Sequence, residues 1–116
     1  MMTKLVNLTP HAIRLQLPDG TALDIQPSGQ VARVATQARD AGQLDGIPVV
    51  QQTYGDVQGL PDPQDGVAYL VSGLVLSAVK AAGGRSDVYA PDTSPDSAVR
   101  DDGGRIVAVR RLVQAL

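Results

Sequence analysis

The sequence predicts an α+β fold with a mixed, mainly antiparallel β-sheet and one main helix. Alternating apolar and polar residues in the first third are typical of half-buried strands joined by tight turns. One later segment reads as strand, helix, strand, with the linker of about a dozen residues that a parallel β-α-β crossover needs. The length of 116 residues, 43% of them hydrophobic, fits a single domain spanning residues 1–116.

The first half of the chain predicts a hairpin and two further strands. Residues 13–17 alternate apolar and polar side chains, "PDGT" is a strong hairpin turn signal, and residues 22–26 resume the alternation. Residues 30–36 indicate a third strand. The glycine-punctuated residues 37–46 predict a loop, and "IPVVQQTYG", residues 47–55, predicts the next strand.

The second half predicts the crossover. "VAYLVS", residues 67–72, has the length and apolarity of a buried strand, and "GLVLSAVKAAGG" has helical spacing with a Gly-Gly stop. "DVYA", residues 87–90, predicts the parallel partner strand. A loop over residues 91–104 leads to a last, central strand at residues 105–113. Since one helix covers one face only, we expect the other face to curl into a barrel-like shape or to meet a second subunit of a homo-oligomer.

Composition excludes several classes of function. The chain has no cysteine, so disulfides and thiolate metal sites are excluded. A net charge of -2 and the absence of Phe and Trp disfavour general nucleic-acid binding. The chain has no Glu, and its Asp spacing does not match a calcium loop, so we expect no metal and no other cofactor. The N-terminus lacks a signal-peptide pattern and no apolar run approaches the ~20 residues of a membrane helix, which predicts a cytoplasmic protein without membrane contact.

Polar residues at the carboxyl ends of the two predicted parallel strands are candidates for a ligand-binding site. Ser72 and Gly73 begin the predicted helix, whose free N–H groups attract anions. Asp92, Thr93 and Arg100 follow the next strand at the same predicted edge. The guanidinium of Arg100 suits a phosphate or carboxylate. Simpler alternatives are a helix cap for Ser72 and a surface ion pair for Arg100.

Three further side chains are candidates. His11, the only histidine, follows Pro10 at the entry to the first strand, and a turn-shaping role, ligand contact and acid–base catalysis all stay open for it. Tyr54 precedes a Gly turn and either packs there or stacks on a ligand ring. Arg33 is an alternative to Arg100 for binding phosphate.

Several strings recur in the same order in a known group of proteins. "NLTPHAI", "PSGQVARV", "GIPVVQQTYGDVQGLP", "YLVS" and "DVYAPDT...AVRDDGGRIVAVRRL" together span almost the whole chain. With them the chain resembles a family of small bacteriophage and prophage proteins. The resemblance implies a viral or mobile-element context inside a bacterial host, and it carries over no catalytic residue.

These observations favour a non-enzymatic protein that binds a small anionic ligand, above all a nucleotide. In a phage setting such a protein is expected to sequester a nucleotide signal of host defence. The first alternative is a protein-interaction or structural module that binds a host or phage protein. The second alternative is a nucleotide-modifying hydrolase, which needs an acid–base pair or a metal.

Overall fold

The computed structural model describes residues 3–116, which form ten strands and one helix. The single helix confirms the predicted α+β class, and no helix in these residues is long and apolar enough to cross a membrane. In chain order the elements are β1 (Lys4–Asn7), β2 (Ile13–Gln16), β3 (Ala22–Ile25), β4 (Arg33–Leu44), β5 (Ile47–Gln58), β6 (Val67–Leu70), α1 (Gly73–Ala81), β7 (Arg85–Pro91), β8 (Ala98–Arg100), β9 (Ile106–Val109) and β10 (Leu112–Ala115).

The strands form three sheets. The first has the order β1-β6-β7-β10, the second β3-β2-β9-β8, and β4 pairs with β5 alone. The pairs β2–β3, β4–β5, β7–β10 and β8–β9 are antiparallel and the other three are parallel, so the mixed, mainly antiparallel arrangement is confirmed. The predicted crossover is confirmed as well, because β6 and β7 lie parallel on either side of α1 in the sequence.

Helix α1 covers one face of the first sheet. Its buried residues include Val75, Leu76 and Val79, which recur at helical spacing and pack against Val71 and Val88 of the sheet layer. Ser72 caps its N-terminus by accepting a hydrogen bond from the N–H of Val75 at 3.3 Å. This layer holds the larger hydrophobic core.

The second sheet covers the opposite face, for which the sequence predicts a barrel-like curl or a second subunit. Successive residues of a strand point to opposite faces, so Tyr69 packs on the helix side while Leu70 packs against Ile13, Leu15 and Val109. This face therefore needs no second subunit to cover it, because the same chain does so.

The predicted loop at residues 37–46 is instead part of a long β-hairpin, residues 33–58, which we call the arm. Its two strands have 12 residues each and pair antiparallel, with Leu44 opposite Ile47 at the tip. The turn residues Asp45 and Gly46 both have positive φ, at 51° and 81°, as an Asp-Gly hairpin turn requires. The loop prediction failed because strands exposed on both faces lack the alternation of half-buried strands.

The predicted last strand at residues 105–113 is two strands in two different sheets. The chain bends at Arg110 and Arg111, and both backbone N–H groups donate to the hydroxyl of Ser97, at 3.0 and 3.1 Å. As a result β9 lies inside the second sheet and β10 at the edge of the first. The predicted loop at residues 91–104 also contains the short strand β8.

Candidate ligand-binding cleft

A cleft of about 270 Å³, which we call the Arg33 cleft, lies beside the N-terminus of α1. Its polar lining consists of Thr9, Arg33 and Ser72. No carboxylate side chain from residues 3–116 lines it. Its apolar lining comes from the chain after β1, the start of β4 and the first turn of α1, and includes Leu8, Pro10, Val31, Val34, Leu74 and Val75.

The Thr9–Pro10 wall of the cleft is held by the buried side chain of Asn7. The amide nitrogen of Asn7 donates to the carbonyl oxygens of His11 and Ile25, at 2.8 and 3.0 Å. Its amide oxygen accepts from the backbone N–H of Thr9 at 2.9 Å and lies 2.7 Å from the Thr9 hydroxyl. An amide with both ends bonded fixes the turn that Pro10 begins to shape.

Arg33 brings an unpaired guanidinium to the cleft. It is the first residue of β4 and is exposed. The ion pairs among residues 3–116 are Arg14–Asp24, Arg85–Asp87 and Arg111–Asp92, and Arg33 belongs to none of them. The segment before it is anchored by the N–H of Ala32, which donates to the carbonyl oxygen of Leu8 at 2.9 Å. The guanidinium therefore keeps its donors available for a ligand.

The opposite wall is the first turn of α1. The Ser72 hydroxyl satisfies the N–H of Val75, whereas the N–H groups of Gly73 and Leu74 precede the first possible acceptors inside the helix. The aligned peptide dipoles give this end of the helix a partial positive charge. The Arg33 cleft thus combines a free cation, free N–H donors and apolar side chains.

The structure brings together some of the candidate residues and separates others. Arg33 and Ser72 line the same cleft, with Gly73 next to Ser72 in the chain. His11 directly follows the lining residue Pro10, but its own side chain is exposed and lies outside the lining. Tyr54 lies in the arm opposite Thr36 and does not reach the cleft.

Asp92 and Thr93 directly follow β7, as expected. Because β6 and β7 are parallel, these residues lie at the edge of the first sheet at which β6 also ends. The carboxylate of Asp92 is already engaged, since it accepts from the N–H of Ser94 at 2.9 Å and from Nε of Arg111 at 2.6 Å. The N–H of Ser94, followed by the Arg111 guanidinium, lowers the pKa of Asp92 to about 2. Asp92 therefore closes a loop, and neither it nor Thr93 lines the Arg33 cleft.

Arg100 lies at the end of β8 in the second sheet. Its guanidinium donates to the carbonyl oxygen of Gly104 at 2.6 Å and so braces the turn between β8 and β9. The expected site at a shared sheet edge fails for Arg100, because β8 adds a strand to the second sheet and leads it away from the first.

A larger cleft, of about 560 Å³, lies near the starts of β6 and β7 and is lined partly by Asp65, Arg85 and Asp87. Its arginine is already paired, because Arg85 makes two hydrogen bonds to the carboxylate of Asp87, at 3.0 and 2.7 Å. This cleft is larger than the Arg33 cleft but offers an anion less charge. Across residues 3–116 no group of three or more potential metal ligands is found.

Sequence reasoning missed Asn7, whose available signal is an Asn two residues before a Thr, a spacing that suits an Asx turn. Comparison with family models, curated proteins and solved structures finds no match to the chain.

Proposed function

We propose that this protein binds a small phosphate-bearing anion, most simply a nucleotide, in the Arg33 cleft without transforming it. One observation carries the proposal: the unpaired Arg33 guanidinium and the N-terminus of α1 line a cleft that no described carboxylate enters. Both features favour negative charge, and they do so by different means.

In the proposed complex, phosphate oxygens accept hydrogen bonds from Arg33 and from the N–H groups of Gly73 and Leu74. The apolar part of the ligand lies against Val31, Val34 or Leu74. A cleft of about 270 Å³ is just below the usual size range for small-molecule sites, so part of a nucleotide is expected to extend into solvent.

The chemistry of the lining favours binding over catalysis. General acid–base catalysis needs a titratable side chain within hydrogen-bond reach of the reacting group. The described lining contains neither a histidine nor a carboxylate, and the Ser72 hydroxyl already accepts from the helix. The resemblance to phage proteins leads us to propose that the ligand is a nucleotide signal of host defence, which the protein sequesters in the host cytoplasm.

The proposal is tested by isothermal titration calorimetry with nucleoside monophosphates, diphosphates and cyclic nucleotides, and with the free nucleosides as uncharged controls. We expect phosphate-bearing ligands to bind and nucleosides to bind far more weakly. Arg33→Gln should weaken binding about tenfold or more, since a charge-assisted hydrogen bond is lost. Arg39→Gln, a matched change farther along β4, should leave binding unchanged.

Ser72→Asp separates ligand binding from helix capping. Asp caps a helix as well as Ser does, so the variant should keep its thermal stability. The new carboxylate in the cleft should nevertheless repel the anion and abolish binding. Unchanged affinity in both Arg33→Gln and Ser72→Asp would overturn the proposal, and conversion of the ligand to a product would favour the hydrolase alternative.

A further inference from the structure

The arm is the least buried part of the chain. Every residue from 35 to 56 is exposed, so the arm packs on the core only at its base. A two-stranded ribbon by itself is marginally stable in water. This one also carries large exposed apolar side chains: Leu44 (66%), Ile47 (62%), Val50 (57%), Val49 (37%) and Tyr54 (37%). Such a surface is typical of an interface.

We propose that the arm joins two copies of this chain, with β5 of one copy pairing antiparallel to β5 of the other around a twofold axis at Gln52. The order of the third sheet is β4-β5, so the outer edge of β5 has no neighbour among the described strands. Pairing there would convert two marginal ribbons into one four-stranded sheet.

The charges of the two arm strands favour β5 over β4. A twofold axis perpendicular to a sheet keeps every residue on its own face, so the residue at the axis lies opposite its own copy. In the middle of β4 this would bring Arg39 or Asp40 close to a like charge. Each strand carries one extra residue, but that of β4 lies between Asp40 and Gln43, whereas that of β5 lies nearer the base, between Tyr54 and Val57. By contrast, residues 47–55 of β5 contain no charged residue.

Within residues 50–54, the register centred on Gln52 matches apolar with apolar side chains and polar with polar ones. It places Val50 opposite Tyr54 of the second copy, which is a favourable pair of a β-branched and an aromatic residue. It also places Gln51 opposite Thr53, and the two Gln52 amides opposite each other, where they can exchange hydrogen bonds. Tyr54, which does not reach the Arg33 cleft, acquires a role in this interface.

The same antiparallel pairing brings the tip of one arm towards the base of the second copy's arm. The regular register ends beyond Tyr54, because β5 carries an extra residue between Tyr54 and Val57, so Ile47 comes to lie near this irregular segment. Val57 lines a cleft of about 290 Å³ together with Leu60, Ala78 and Val79. Asp56 and Arg85 also line this cleft, and we expect Ile47 at the tip to lie near its apolar part.

The oligomeric state is measured by sedimentation velocity over a wide concentration range. We expect the wild-type chain to sediment at twice the mass of one copy. Gln52→Arg places two positive charges opposite each other at the axis and should weaken association about tenfold or more. Gln37→Arg, the matched change on exposed β4, should dimerise like the wild type, and circular dichroism should show that both variants are folded.

Crosslinking tests the register, and the chain has no native cysteine to interfere. Directly opposite residues have Cα atoms about 4.5–5.5 Å apart, within the range for a disulfide. Gln52→Cys should therefore form a covalent dimer under mild oxidation. Gln37→Cys should not, because three strand spacings of about 4.8 Å would separate the two copies. A monomer at all concentrations, which would leave the arm to a different protein, or a dimer without the Gln52→Cys crosslink would overturn the proposal.

Discussion

The side-chain amide of Asn7 donates hydrogen bonds to the carbonyl oxygen of His11, at 2.8 Å, and to that of Ile25, at 3.0 Å. Asn7 is only 1% exposed, so the two bonds are largely shielded from water. They tie the turn after β1 to strand β3. The only histidine of the chain thus contributes its backbone to this contact, and its ring is exposed.

We expect Asn7→Ala to lower the free energy of unfolding by about 3 kcal/mol, since at least three hydrogen bonds of about 1 kcal/mol each are lost. His11→Ala should change it by less than about 0.5 kcal/mol, because the carbonyl group remains. Urea unfolding followed by circular dichroism measures both. Equal losses in the two variants would show that the imidazole holds the turn, contrary to the contacts described.

The candidate site could be predicted from the sequence only where it depends on local structure. Ser72 is recognisable as a helix cap from its place before an apolar helical segment. That Ser72 and Arg33 line the same cleft cannot be recognised from the sequence. Their proximity depends on the hydrogen bond from the N–H of Ala32 to the carbonyl oxygen of Leu8, which positions the start of β4. Arg100 lies away from the expected edge because β8, whose three residues have too weak a pattern to predict a strand, belongs to the second sheet.

Gly59 packs against Val31 and Ala32, which line the Arg33 cleft. Its φ is +80°, and a Cβ atom added there would lie 2.6 Å from the carbonyl oxygen of Val31. Gly59→Ala should lower the free energy of unfolding in two ways. The left-handed backbone costs about 1 kcal/mol for a residue with a Cβ atom, and the close contact with Val31 costs about 2 kcal/mol. Gly20→Ala, at φ +89° in open space, should show only the first of these. Thermal unfolding compares the two, and equal effects would contradict the predicted close contact.

Much of the fold was predictable because its elements have periodic patterns. The hairpin of β2 and β3 and the β6-α1-β7 crossover follow from alternation, Asp-Gly turn chemistry and helical spacing. The bend between β9 and β10 was not predictable, because "RIVAVRRLV" is apolar on both sides of it. Its cause is the distant Ser97, which no local pattern connects to Arg110 and Arg111.

Ser97→Ala should therefore destabilise the fold although it removes a single oxygen atom. Ser97 is fully buried, and its hydroxyl is an acceptor for two backbone N–H groups. The N–H of Arg110 keeps its bond to the Ser97 carbonyl oxygen at 2.9 Å, so the N–H of Arg111 is the donor that loses its acceptor. The loss is expected to cost about 1–2 kcal/mol in the free energy of unfolding. Ser86→Ala, which removes an exposed hydroxyl, should cost less than about 0.5 kcal/mol. Chemical denaturation measures both, and a neutral Ser97→Ala would show that water replaces the hydroxyl at the bend.

The Asp92 carboxylate should make stability depend on pH in the acid range. Its pKa is about 2 in the folded protein, below its usual value of 3.8. Because the folded state favours the charged form, the stabilisation is fully present above the unfolded pKa and is lost as the pH falls towards 2. Wild type should therefore exceed Asp92→Asn in the free energy of unfolding at neutral pH. The difference should shrink steadily below about pH 4. Arg111→Gln, which removes the partner of the carboxylate, should converge with wild type over the same interval. A gap that stays constant down to pH 2 would show that the charge of Asp92 does not stabilise the loop.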